Sequence, residues 1–118
     1  MRWLAIDPGD RYIGVAVSDP TGLIARPLTT LVHEVRARDA ERLAALADEN
    51  GVDGILVGQA LDDEGEAGPQ ARKSARLAEA LRALTSRPVQ LVDESGSSRA
   101  AQALLIAAGK KRRARREK

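Results

Sequence analysis

At 118 residues the chain has the length of one ordinary domain with a single core, and falls short of what two cores need. Hydrophobic residues make up 43% and charged residues 31%, a globular balance, and no apolar run reaches membrane length. Cysteine is absent and histidine occurs once, as His33, which argues against disulfides, thiolate or histidine-rich metal sites and a Ser-His-Asp triad.

Any metal would therefore be held by oxygen, which points to magnesium or manganese. The missing cysteines, and an opening stretch without the charged-then-apolar pattern of a secretory leader, suit a cytoplasmic protein. Charge is distributed unevenly. The segment 110–118, KKRRARREK, is net +6 in a chain of net +2, so the rest of the chain is net −4. A solvated terminus and a phosphate-binding segment are both compatible with such a run, since clustered Lys and Arg displace counterions from nucleic acid. Phe is absent and Trp3 and Tyr12 are the only aromatic residues, so contact with nucleic acid should fall on backbone and shape rather than stacked bases.

In chain order, residues 2–6 (RWLAI), 13–19 (IGVAVSD) and 23–31 (LIARPLTTL) read as three short strands. Asp19, Pro20 and Gly22 between the last two have hairpin-turn chemistry, and short links throughout make an antiparallel meander. Pro27 cannot donate to a ladder, so the third strand belongs at an edge. From about Ala37 the period changes to that of a helix, with Ala40, Leu43, Ala44 and Ala47 on one face and Gly51 as its stop. Residues 54–58 (GILVG) read as a strand buried on both faces, typical of a parallel sheet. A polar loop over 59–68 leads to Pro69, suited to a helix's first turn, and Ser74, Leu77, Ala78, Leu81 and Leu84 stripe the helix that follows. Residues 88–94 (PVQLVDE) form the fifth strand. Ser97 or Ser98 caps a last helix whose Ala101, Leu104, Leu105 and Ala108 face inward before Gly109. The expected domain covers residues 1–109, with 110–118 as a basic segment leading toward a further helix.

Three strands, then helix, strand, helix, strand, helix, joined by right-handed crossovers, predict an α/β fold. Its sheet is mixed and five-stranded, a meander followed by two parallel strands, with the first strand central between the second and the fourth and helices packed on the sheet. Ribonuclease H-like domains have this order. Ligands in such sheets collect beyond the C-terminal strand ends. Asp7 ends the first strand, Gly58 the fourth, and Asp93 with Glu94 the fifth, so parallel strands would gather these carboxylates on one rim. Clustered carboxylates repel, and a divalent cation relieves that repulsion. Taken singly, Asp7 reads first as a turn residue and Asp93–Glu94 as the acidic start of a helix, and only together do they point to a metal site. Asp62, Asp63, Glu64 and Glu66 read as a solvated loop in which Gly65 and Gly68 permit backbone approach to a phosphate, and His33 reads as a surface residue at a strand-to-helix junction.

The stretch LAIDPGDRYIGVAVSDPTGLIARPLTTL (4–31) resembles the opening of the YqgF/RuvX family of pre-16S rRNA nucleases and Holliday junction resolvase-like proteins. Asp7, Gly9, Arg11, Ile13 to Asp19, Pro27, Leu28 and Thr30 match that family's first block. Val57, Gly58, Gly65, Gly68, Pro69 and Ala71 match its second, where Gln59 and Ala60 replace the usual Leu-Pro. Asp93 and Glu94 match its third, where Ser97 and Ser98 stand for threonines and Ser95 for an arginine. The resemblance implies a ribonuclease H-like fold and metal-dependent phosphodiester cleavage. Asp7 and Glu94, with Asp93 as neighbour or alternate, would be the catalytic and metal-binding residues. Mg2+ or Mn2+ would activate water and stabilise the leaving oxygen. Gly9 and Gly14 would let a phosphate backbone approach Asp7, and Arg11 with Lys110, Lys111, Arg112, Arg113, Arg115 and Arg116 would neutralise it. The family has a third acid, an aspartate after its basic stretch, and this sequence reaches Lys118 about where that residue falls; the reading expects the chain to continue to it.

Three functions follow as expectations. The first is an endonuclease on structured RNA, with ribosomal RNA precursor as substrate and four-way DNA junctions as the alternative. The second is a non-catalytic nucleic-acid-binding module. The third, a nucleotide-binding domain of the actin and sugar-kinase type, requires a second phosphate loop and a second domain for which 118 residues leave no room.

Overall fold

A computed structural model describes residues 1–60, 68–94 and 99–116, the last seven as backbone only. Eight elements run β1 (Trp3–Pro8), β2 (Tyr12–Ser18), β3 (Ala25–Val32), α1 (Arg36–Glu49), β4 (Gly54–Gln59), α2 (Pro69–Leu84), β5 (Val89–Asp93) and α3 (Arg99–Arg116). The strands form one sheet ordered β3-β2-β1-β4-β5, antiparallel across β1–β2 and β2–β3, parallel across β1–β4 and β4–β5. This is the expected architecture, with β1 central.

Strand alternation divides the sheet's side chains between two cores. Leu4, Ile6, Ile13, Val15, Val17, Ile55, Val57 and Val89 face α1 and α2, meeting Leu43, Leu77 and Leu81. Ala5, Ala16 and Leu56 face the other way, onto Leu104, Leu105 and Ala108 of α3. The small residues on that second face bring one helix close against the sheet. Trp3 closes its far end, lying so near Gly54 that a Cβ there would sit 2.4 Å from the indole Cζ3. Of the expected stripes, Leu84 departs: it lies at the last turn of α2 and is 51% exposed, while Ala71 takes the buried position at the other end.

The β2–β3 turn is built around Asp19. Its carboxylate accepts the Thr21 hydroxyl and the Leu23 and Ile24 amides, and Gly22, at φ +79°, donates to the Asp19 carbonyl at 3.0 Å. The Thr21 hydroxyl, followed by the Ile24 amide, holds the Asp19 carboxyl below its usual range. On the edge strand, Pro27 pairs with Ala16 and Thr29 with Val15, so Leu28 is an extra residue that shifts the register by one. Helix α1 ends at Asn50, whose side chain donates to the Leu46 carbonyl at 2.8 Å, and Gly51 follows at φ +58°.

The last helix differs from expectation. It does not stop before Gly109 but continues to Arg116. One interior glycine costs about 1 kcal/mol, and the run of Lys, Arg and Ala that follows consists of strong helix formers, which offsets it. The predicted caps Ser97 and Ser98, the substituted Ser95, and the loop acids Asp62, Asp63, Glu64 and Glu66 lie outside the described residues.

Candidate active site at the carboxyl rim of the sheet

In the β1–β2 ladder Asp7 pairs with Gly14, and Gly14 pairs in turn with Thr30 of β3. On the other side, Ile6 pairs with Val57, so Asp7 stands level with Gly58 of the parallel β4, which pairs with Val92 of β5. Paired residues share a face, so one row crosses the sheet as Thr30, Gly14, Asp7, Gly58 and Val92, all toward α3. Asp7 is thus flanked on both sides by residues without side chains. It is 6% exposed, a carboxylate at the floor of a slot between two glycines.

Glu94 enters this slot from β5. It follows Val92 by two residues, its amide donates to the Gln59 carbonyl at 3.1 Å, and its side chain folds over Gly58. A Cβ on Gly58 would lie 2.9 Å from Glu94 Oε1 and 3.0 Å from the Leu105 methyl. Strand neighbours sit about 4.8 Å apart, so the place over Gly58 that the Glu94 side chain takes lies one strand from Asp7 on the same face. Asp93 is different. Alternation directs it with Leu91 toward the α1–α2 face, away from Asp7. Of the three acids read from the sequence, the fold brings Asp7 and Glu94 together and separates Asp93.

A hard divalent cation fits this donor set. The donors are carboxylate oxygens, and Mg2+ characteristically keeps several waters while taking one or two protein carboxylates plus a substrate phosphate. Among the described residues no group of three or more His, Cys, Asp or Glu forms a larger ligand cluster. Gly9 and Arg11 lie on the three-residue β1–β2 turn, closed by the Gly9 amide donating to the Tyr12 carbonyl at 2.9 Å, and Arg11 is exposed at its tip. Lys110, Lys111, Arg112, Arg113, Arg115 and Arg116 lie on the last turns of α3, where only backbone is described; along the axis they fall about 8–17 Å beyond Leu105. Thr30 was read from the sequence only as part of a motif. Its hydroxyl is buried at the end of the Asp7 row and has no hydrogen-bond partner among the described residues.

The sequence reading also missed what His33 does. Its Nδ1 contacts Asp39 Oδ2 at 2.5 Å, while Asp39 Oδ1 accepts the Glu34 amide at 3.0 Å and Arg42 Nη2 at 2.7 Å. Burial pushes the Asp39 carboxyl up, but the Glu34 amide, His33 and Arg42 together outweigh it and leave it below the ordinary value. The spacing of six residues across a strand-to-helix junction carries no periodic signal by which the pair could have been found.

A five-stranded sheet of this order with paired acids at its carboxyl rim defines a ribonuclease H-like α/β domain. The chain belongs to the RuvX family: the family model described as "RuvX: Holliday junction resolvase" matches residues 1–118. Among relatives, a protein of Geobacillus kaustophilus named "Putative pre-16S rRNA nuclease" is 44% identical over 119 residues, covering 99% of this chain and 86% of its own. One of the same name from Chloroflexus aurantiacus is 42% identical over 102 residues, covering 86% and 67%. Among solved structures, Thermus thermophilus RuvC in complex with a Holliday junction substrate superposes with a TM-score of 0.58 at 18% identity, over 98% of this chain and 96% of that one. Archaeoglobus fulgidus Pelota gives 0.56 at 11%, over 98% and 36%. Likeness at such identities is likeness of fold.

Proposed function

We propose that this chain is a metal-dependent endonuclease of structured RNA, acting on ribosomal RNA precursor in the cytoplasm, with Asp7 and Glu94 holding Mg2+ or Mn2+. What supports this reading is that Asp7 lies on the same face of the sheet as, and one strand from, Gly58, over which the Glu94 side chain folds. Family membership supports it, as does the shared name of the relatives. Among the described residues no helix is long and apolar enough to cross a membrane.

When bound, the cation supplies Lewis-acid chemistry, lowering the pKa of water and stabilising the leaving oxygen. The chain's own residues set the geometry. Asp7 is fixed on a central strand, so its carboxylate is held without reorganisation at the moment of reaction. Gly58, having no side chain, leaves beside Asp7 the space over which Glu94 folds. Glu94 comes from a strand end and closes the slot from the side. Arg11 at the turn tip, and the basic turns of α3, offset phosphate charge along the strand. Asp93 takes no part in this arrangement.

The test is cleavage by the purified full chain of a structured rRNA precursor and of a four-way DNA junction, with Mg2+, Mn2+ or EDTA, beside Asp7→Asn and Glu94→Gln. RNA cleavage that needs the metal and disappears in both variants, with unchanged melting, is the expected result. Preferential cutting of the junction favours the resolvase reading, to which the family description lends support. Salt-sensitive binding without cleavage under any metal, undiminished by Asp7→Asn, establishes a binding module and overturns the proposal.

A further inference from the structure

On the face of the sheet opposite Asp7, a cavity of about 330 Å³ opens between the first turns of α1 and α2, against the Pro8–Gly9 turn. Arg36 reaches it from α1, Lys73 and Arg76 from α2. None of these three cations has an ion-pair partner among the described residues. The acids at the wall are already engaged. Glu34 pairs with Arg42 at 3.3 Å, and Asp39 takes His33, Arg42 and the Glu34 amide. His33 also lines the cavity. With Nδ1 held by a carboxylate that is only 2% exposed, its ring is fixed and Nε2 is the nitrogen left to meet a ligand. Three cations without an ion-pair partner among the described residues, around one concavity with an oriented imidazole, suit an anion; the Glu34 amide and Arg42 account for Asp39 but not for the convergence of Lys73 and Arg76.

We propose that this cavity binds the phosphate of a single nucleotide, with Arg36, Lys73 and Arg76 supplying charge and the protonated His33 ring donating a directed hydrogen bond from Nε2, while Asp39 accepts from Nδ1 as its positioning residue. The volume lies at the low end for ligand sites, enough for one mononucleotide and too little for an oligomer. The phosphate comes either from a strand that places one nucleotide here, which rests on the nucleic-acid reading above, or from a free mononucleotide, which does not.

His33 is the single histidine of the sequence, so its imidazole resonances identify themselves in an NMR spectrum. The full chain is titrated with orthophosphate, AMP and a 5′-phosphorylated hexanucleotide at constant ionic strength, with chloride as control. The expected result is a saturable shift of the His33 ring signals. It should weaken at least ten-fold in the doubly substituted Lys73→Gln, Arg76→Gln protein, whose exposed sites leave the fold intact, and persist in Asp7→Asn. Tighter binding of the hexanucleotide than of AMP assigns the site to a strand, and the reverse assigns it to a free nucleotide. No saturable shift with any probe, or shifts unaffected by the Lys73 and Arg76 substitutions, overturns the proposal. Loss of RNA cleavage in Asp7→Asn without change at His33 separates the two sites.

Discussion

Gly58→Ala tests the carboxylate slot with a single methyl group. That methyl would lie 2.9 Å from Glu94 Oε1 and 3.0 Å from the Leu105 methyl. Carbon contacts are most favourable at about 3.5–4.0 Å, so Leu105 must withdraw about 0.5 Å and the carboxylate by a similar amount. Both are ends of flexible side chains, and the fold absorbs the change for about 1–2 kcal/mol, a fall in melting temperature of about 4–8 °C. Metal ligands tolerate far less displacement, about 0.2 Å, and disturbing the surroundings of a metal site typically costs about 10–100-fold in affinity or activity. Cleavage of the structured RNA should therefore slow at least ten-fold, with a higher Mg2+ concentration needed for half-maximal rate. Rates measured across a Mg2+ series, alongside thermal melting, separate the two effects. A lowered melting temperature with wild-type rate and unaltered Mg2+ dependence would refute the reasoning, because the methyl would then be present and Glu94 displaced without consequence.

Glu94→Gln should abolish metal-dependent cleavage while Asp93→Asn stays within about two-fold of wild type, since the two side chains lie on opposite faces; equal losses in one assay would contradict the assignment. The folded Asp39 carboxyl lies below the ordinary value of 3.8, so its stabilisation is present above that pH and is lost as pH falls through the lower folded value. Asp39→Asn should cost on the order of 1–3 kcal/mol at pH 7, with the gap to wild type closing as pH falls through the lowered folded value, as read by urea titration across pH. Gly54→Ala would drive a methyl into the Trp3 ring, which cannot yield as a flexible side chain does. It should cost about 2–3 kcal/mol and shift the emission of the protein's single tryptophan, whereas unchanged fluorescence would mean the ring is not seated there.

The sheet was legible because its signals are local. Alternation marks β1 and β2, Asp19 to Gly22 the turn, Pro27 the edge, and an unbroken apolar run the buried β4. The rim site was half legible. Strand ends place Asp7, Asp93 and Glu94 near one another, but only register decides the face, and register is a property of the assembled ladder. The vacancy at Gly58 into which Glu94 folds likewise depends on Leu105, 47 positions along the chain. Glycine at 109 reads as a stop in isolation, yet helix-favouring residues on both sides carry α3 through it. The His33–Asp39 pair left no trace, because a histidine and an aspartate six residues apart are unremarkable until a strand and a helix meet at an angle.

The displaced register at Leu28 has a consequence for life at high concentration. An open sheet ends in rows of amide and carbonyl groups that invite a second molecule to extend the ladder. On β3 the invitation is withdrawn, since Pro27 has no amide to offer and the extra residue bends the strand out of the straight line a newcomer would need. The opposite margin, β5, is only five residues long. Both flanks of the sheet are thereby poor templates for a second molecule to extend the ladder by backbone pairing.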